Sequence, residues 1–171
     1  DYNVTDNIGF LTEERSLLTK LTVKEQAIYF GALKGMTNEK IEERLDYLLS
    51  LFKLDPSQNV KEMSLGDKRK LAVVTAFMND PEVLILDEPT SGLDPVMQQI
   101  FIKFIIEEKK RGKTILLSSH IFSEVEATCD NISIIKDGVH VSTFNAEEIK
   151  KIAGTNSFEQ AFVRIVKGVA K

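Results

Sequence analysis

At 171 residues with a net charge of -4 and 43% hydrophobic residues, the chain has the balance of one globular domain, large enough to bury roughly 70% of its unfolded surface. The mild acidity argues against nucleic acid as a bulk partner, and the lone Cys129 excludes an internal disulfide and suits a reducing compartment. No apolar run approaches the roughly 18 residues that a membrane span requires.

The first residue is Asp1 rather than Met, so the natural start is expected to lie upstream. Asn7 to Leu11 reads as a short strand or strand end, followed by the polar stretch Thr12-Glu13-Glu14-Arg15-Ser16. A helix is predicted from Thr22, which makes a capping box with Glu25, to about Lys34, with Gly35 as its left-handed cap. A strongly amphipathic helix follows, with Ile41, Leu45, Leu48, Leu49 and Phe52 on one face. Asn38 is its expected N-cap, and Asp55-Pro56 its expected stop. Met63-Ser64-Leu65-Gly66-Asp67-Lys68-Arg69-Lys70 leads into a third helix carrying Leu71, Val74, Ala76 and Met78, closed by Asn79-Asp80-Pro81.

Val83-Leu84-Ile85-Leu86 then reads as a strand buried on both faces of a parallel sheet. Asp94 caps the next helix, with Pro95 at its first position. Met97, Ile100, Phe101, Phe104 and Ile105 are its buried face, and Gly112 closes it. Thr114 to Leu117 reads as a second buried strand, ending in Ser118-Ser119-His120. A short helix with Phe122 and Val125 precedes a hairpin, in which 132–135 and 139–141 flank Asp137-Gly138. The tail holds a short helix from about Ala146 and a final helix opened by a Ser157…Gln160 capping box. On that helix Phe158, Ala161, Phe162, Ile165, Val166 and Val169 share a face. Strands alternating with helices imply parallel pairing with right-handed crossovers. The expected fold is α/β with a helical block inserted before the acidic strand.

Three features carry chemistry. Asp87-Glu88 stands where the apolar strand stops, the edge at which open α/β sheets bind ligands. Two adjacent carboxylates there suit a metal ion or polar ligand; the plain alternative is a solvated acidic turn. Asp87 could hold Mg²⁺ through water, and Glu88 could orient or deprotonate a water attacking a phosphate. His120, at the end of the next strand, could reach the same ligand; a strand-end histidine is otherwise structural. Ser64-Leu65-Gly66 opens a helix, where free amides favour an anion, though a serine there is also an ordinary N-cap.

In order along the chain, these residues resemble the motifs of ATP-binding cassette (ABC) ATPases. Leu84 to Pro95, Leu-Ile-Leu-Asp-Glu-Pro-Thr-Ser-Gly-Leu-Asp-Pro, looks like the Walker B and D-loop run. Met63-Ser64-Leu65-Gly66-Asp67 occupies the place of the signature motif, Ser119-His120 that of the H-loop, and Ile8 to Glu14 that of the Q-loop. The resemblance implies a P-loop NTPase (RecA-like) parallel-sheet core, incomplete at its N-terminus, with a helical subdomain and a C-terminal helical tail. Its parts would be a Q-loop strand remnant (1–13), a helical subdomain with the signature (14–80), the Walker B, D-loop and H-loop core (81–144), and the tail (145–171).

The resemblance further implies ATP and Mg²⁺ as cofactors, with Asp87 holding the metal and Glu88 as general base or water-positioning carboxylate. His120 would contact the γ-phosphate. Ser64 and Gly66 would clamp nucleotide bound to the opposite copy in a head-to-tail homodimer, and Asp94 would link the two sites. Glu13 would sense Mg²⁺ and signal to a membrane-spanning permease. Leu65 departs from the family's glycine, and Asp67 and Glu13 from its glutamines, while Ser64 and Gly66 are kept.

A cassette ATPase also needs a Gly-rich phosphate loop, and the 171 residues hold no G-x-x-x-x-G-K-S/T. Gly112-Lys113-Thr114 mimics its end, but Glu107 stands where the first glycine belongs. In the family the loop lies upstream of the Q-loop. The expectation is a fragment that binds ATP poorly by itself, from a parent protein that hydrolyses it. The implied setting is cytoplasmic, peripheral on the inner face of a bacterial membrane. Gly9 to Leu17 and Ser157 to Phe162 resemble exporters of the sodium-extrusion and antibiotic-efflux type. The alternatives are a soluble, non-transport cassette ATPase and a non-catalytic interaction module.

Overall fold

The computed structural model describes residues 7–12, 17–152, 154 and 157–167. Strand β2 (Val83–Asp87) is the centre of a parallel sheet, between β1 (Ile8–Leu11) and β3 (Thr114–Ser118). Side chains alternate between the faces of a strand. On one face Leu11, Leu84 and Leu86 are buried and Ile115 and Leu117 half-buried, packed on the helical layer. On the other, Phe10, Ile85 and Leu116 lie in register as one row, with Phe10 59% and Leu116 66% exposed. The expectation that both strands are buried on both faces is therefore corrected. β1 and β3 are the edge strands of the described sheet, and among the described residues the apolar run of β3 is covered on one side only.

Between β1 and β2 come α1 (Val23–Leu33), α2 (Asn38–Phe52), a 3-10 turn (Val60–Glu62) and α3 (Leu65–Phe77); α4 (Pro95–Lys110) joins β2 to β3. The Thr22–Glu25 capping box forms, and Gly35 takes φ 72° as expected. Helix α2 is capped by Thr37 rather than Asn38, since Thr37 keeps extended backbone and its hydroxyl accepts from the Lys40 amide. It ends at Lys53, before Asp55-Pro56. Lys53 turns left-handed at φ 53°, which returns Leu54, only 7% exposed, to the core.

The ring of Phe104 on α4 meets Phe77 at 4.7 Å and Phe52 at 5.7 Å between centroids. The helical block and the sheet thus share one apolar core. β1 reaches that core because residue 9 is glycine: a Cβ there would lie 2.3 Å from the Ala76 carbonyl oxygen and 2.7 Å from Pro81.

The chain divides into two compact units, 1–118 and 119–171. The second contains α5 (Phe122–Thr128), the hairpin of β4 (Asn131–Lys136) and β5 (Val139–Asn145), α6 (Ile149–Ile152) and α7 (Phe158–Val166). Asp137 and Gly138 take φ 50° and 76°, the positive pair that a two-residue hairpin turn demands. Ile134, Ile149, Phe158, Ala161 and Ile165 form the unit's own core, with Phe122 and Phe162 against it. Ser157 caps α7 by accepting from the Gln160 amide. The expected face of α7 is otherwise as drawn from the sequence, and Val169 lies outside the described residues.

Candidate functional site

β2 delivers Asp87 and Glu88 to the C-terminal edge of the sheet, the first exposed and the second half-buried. Because β3 is parallel and in register, Ser118 lies opposite Asp87. Its hydroxyl donates to Asp87 Oδ1 at 2.5 Å and accepts from the Glu88 amide at 3.0 Å. Glu88 has φ 44°; left-handed backbone at a non-glycine residue carries strain of about 1–3 kcal/mol and persists only where the surroundings enforce it. The Glu88 carbonyl accepts from the Ser91 amide at 3.0 Å and from Arg69 Nη2 at 2.5 Å. Arg69, 2% exposed, also donates to the Asp87 carbonyl at 2.5 Å and to the Thr12 carbonyl at 2.8 Å.

The second element is the head of α3. Ser64 keeps extended backbone as N-cap, accepting from the Asp67 amide at 3.1 Å and donating to Asp67 Oδ2 at 2.7 Å. Lys70 reaches Asp67 Oδ1 at 2.6 Å. The Lys70 hydrogen bond holds the Asp67 carboxyl below its usual range; burial opposes it, and the Ser64 hydroxyl and the Lys70 charge add to the lowering. Gly66 faces the loop that follows Glu88, and a Cβ there would lie 3.2 Å from the Gly92 carbonyl oxygen. Asp94 ends that loop as the N-cap of α4, accepting from the amides of Val96 and Met97 at 2.9 and 3.0 Å.

Of the residues singled out in the sequence, Asp87, Glu88, Gly66, Ser64 and Asp94 all belong to the first unit, and the loop 88–94 brings the acidic strand end next to α3. His120 is exposed and belongs to the second unit. Glu13 lies outside the described residues. Among the described residues no group of three or more His, Cys, Asp or Glu is arranged around a common metal position. One exposed carboxylate supported by a hydroxyl still suits a hard cation whose remaining oxygens come from water and phosphate.

Two residues of the site escape the sequence reading. Ser118 looks like one more serine before a helix. Arg69 sits in Lys68-Arg69-Lys70, which the sequence places only at the approach to the third helix. Its burial is signalled only by its spacing to Val73 and Phe77, four and eight residues on, which are themselves buried.

The family model described as "ABC transporter" matches residues 2–91. An uncharacterized ABC transporter ATP-binding protein of Alkalihalophilus pseudofirmus is 39% identical, over 93% of this chain and 63% of its own length. The ABC transporter ATP-binding protein NatA of Bacillus subtilis (strain 168) is 34% identical, over 98% of this chain and 70% of its own. A solved structure titled as the ATP-binding subunit of an ABC transporter superposes with a TM-score of 0.85 at 29% identity, covering 94% of this chain and 69% of that one. The chain therefore spans only part of the length of the relatives it matches.

Proposed function

Since this chain belongs to the ABC transporter ATP-binding family, we propose that it is part of the ATPase subunit of a transporter, in which ATP binding and hydrolysis drive a substrate through a separate membrane-spanning permease. The observation that carries this reading is the Asp87-Glu88 pair at the C-terminal end of the central parallel strand, beside the Ser64-capped head of α3. Strand ends of this kind bind ligands in open α/β sheets, and a helix N-terminus favours anions.

In the proposed roles Asp87 holds Mg²⁺, which would neutralise phosphate charge when bound. Glu88 positions or deprotonates the attacking water, and His120 contacts the γ-phosphate. Ser64 and Gly66 serve the nucleotide of the opposite copy in a head-to-tail homodimer, with Asp94 at the link between sites. Glu13 senses the metal and passes its state to the permease. No described helix is long and apolar enough to cross a membrane. Peripheral attachment to the inner face of the cell membrane through the permease belongs to the same proposal, and so does outward transport.

The test is Mg-dependent ATP hydrolysis by the full-length protein, with Glu88→Gln as the decisive variant. General acid–base participation is typically worth about 10²–10⁴ in rate, so the substitution is expected to bring turnover close to zero while the protein stays folded. The 171-residue chain, which contains no G-x-x-x-x-G-K-S/T, is expected to be silent in the same assay. Undiminished hydrolysis in the Glu88→Gln protein would remove Glu88 from the chemistry. No hydrolysis by the full-length protein, with or without a membrane partner, would favour a non-catalytic module.

A further inference from the structure

We propose that Arg69 is the positioning residue of the acidic strand end, locking the Asp87–Glu88 peptides and tying them to both the head of α3 and the end of β1. The inference rests on the reading of Glu88 given above, which it extends from the carboxylate to the group that holds it. The guanidinium is almost wholly buried, and a buried cation is tolerated only where its donors meet good acceptors. Here Nη2 spans the carbonyls of Asp87 and Glu88, and Nη1 takes that of Thr12. These carbonyls belong to segments far apart in sequence, at or next to the ends of two neighbouring parallel strands. A planar fork with several donors can bridge them, and the single ammonium of lysine cannot reproduce that geometry.

The consequence falls on Glu88. Its left-handed peptide is held from both sides, by the Ser118 hydroxyl at its amide and by Arg69 and the Ser91 amide at its carbonyl. Relaxing φ to the ordinary region would turn that carbonyl away from Arg69. The same helix carries Ser64 at its cap and Gly66 in its first turn. A displacement of the α3 head is thereby passed to Glu88 through one buried, hydrogen-bonded side chain.

The experiment compares the 171-residue chain with its Arg69→Lys and Arg69→Gln variants by amide hydrogen exchange without nucleotide. Exchange at Glu88 and Ser91 is expected to speed up at least tenfold relative to Val74 and Phe104, with the lysine variant guarding against outright unfolding. Unchanged rates at Glu88 and Ser91, or an equal rise across α3 and α4, would overturn the proposal, because the arginine would then be only a core contact. In the full-length protein the same variants are expected to lose at least tenfold in kcat with KM within twofold. A change confined to KM would contradict a positioning role. A wild-type protein that hydrolyses nothing would sink the functional reading instead, and the exchange rates would still decide the clamp.

Discussion

Asp67 stands beside Ser64 with a full negative charge and a claim on its hydroxyl proton. The serine donates to Asp67 Oδ2 at 2.7 Å, so its donor is engaged before any phosphate arrives. Two unit charges about 4 Å apart interact by about 1 kcal/mol in water and about 4 kcal/mol near a protein surface, and here the sign opposes an anionic ligand. Lys70 offsets part of that charge at 2.6 Å. Asp67→Asn should weaken the acceptor's hold on the Ser64 hydroxyl, from a charge-assisted to a neutral hydrogen bond, and remove the repulsion. On the head-to-tail homodimer proposed above, MgATP-dependent association of the full-length protein in a Glu88→Gln background should tighten about tenfold, equivalent to about 1.4 kcal/mol, as read by sedimentation. Weaker association would mean that the Asp67 carboxylate supports the cap more than it repels the ligand. At this scale Asp87 and Glu88 are legible in the sequence, since a buried apolar run stops on them. Arg69 and Ser118 are not, because their roles depend on which backbone groups the fold sets opposite them.

Elements are fixed at their ends and crossings. Glycine at position 9 lets β1 lie against α3, and the obstruction a Cβ would meet there includes the backbone oxygen of Ala76 at 2.3 Å. No rotamer change can relieve that contact. Overpacking at a rigid wall destabilises by typically 1–3 kcal/mol; Gly9→Ala should therefore lower unfolding stability by about 3 kcal/mol in a denaturant titration. An unmoved midpoint would mean that β1 does not pack there.

A second tie is electrostatic. Asp80, left-handed at φ 50°, receives Arg44 from α2, Arg111 from the end of α4 and Lys113 from the entry to β3. Arg111 and Lys113 also pair with Glu108, which is 2% exposed. Burial alone would raise the Asp80 pKa, but the Arg111 and Lys113 hydrogen bonds and the Arg44 and Lys113 charges prevail, holding it at about 2. A carboxyl lowered in the folded state takes up its proton first in the unfolded chain. Its contribution is thus complete above the ordinary value of 3.8 and is lost as pH falls towards about 2. Asp80→Asn should flatten the fall in urea midpoint between those pH values and leave its slope near neutrality unchanged. An acid limb identical to the wild type would remove Asp80 from the account. Caps such as Thr22–Glu25 are legible because a few adjacent residues determine them. Thr37 and Asn38 are both good N-caps, and their adjacent sequence does not say which will keep the extended backbone that Thr37 takes.

For the whole molecule, the α/β alternation and the order of motifs are legible because periodicity and turn residues are local properties. The one-sided sheet is not: an apolar strand has the same sequence whether or not its second face is covered. In this chain that face carries the row Phe10, Ile85 and Leu116 across all three strands, beside a described edge at β3. An apolar surface next to unpaired strand backbone favours association with another copy. The 171-residue chain should accordingly show a light-scattering mass that rises with concentration. Leu116 is 66% exposed, so Leu116→Glu should lower that mass towards the monomer without weakening the fold, as charge on an edge strand normally does. Two outcomes would speak against this. A clean monomer at high concentration would show that the face is tolerated in water. Association that persists with Leu116→Glu, but not with substitutions at Ile135 and Val139, which are 71% and 65% exposed, would move the sticky surface to the hairpin of the second unit.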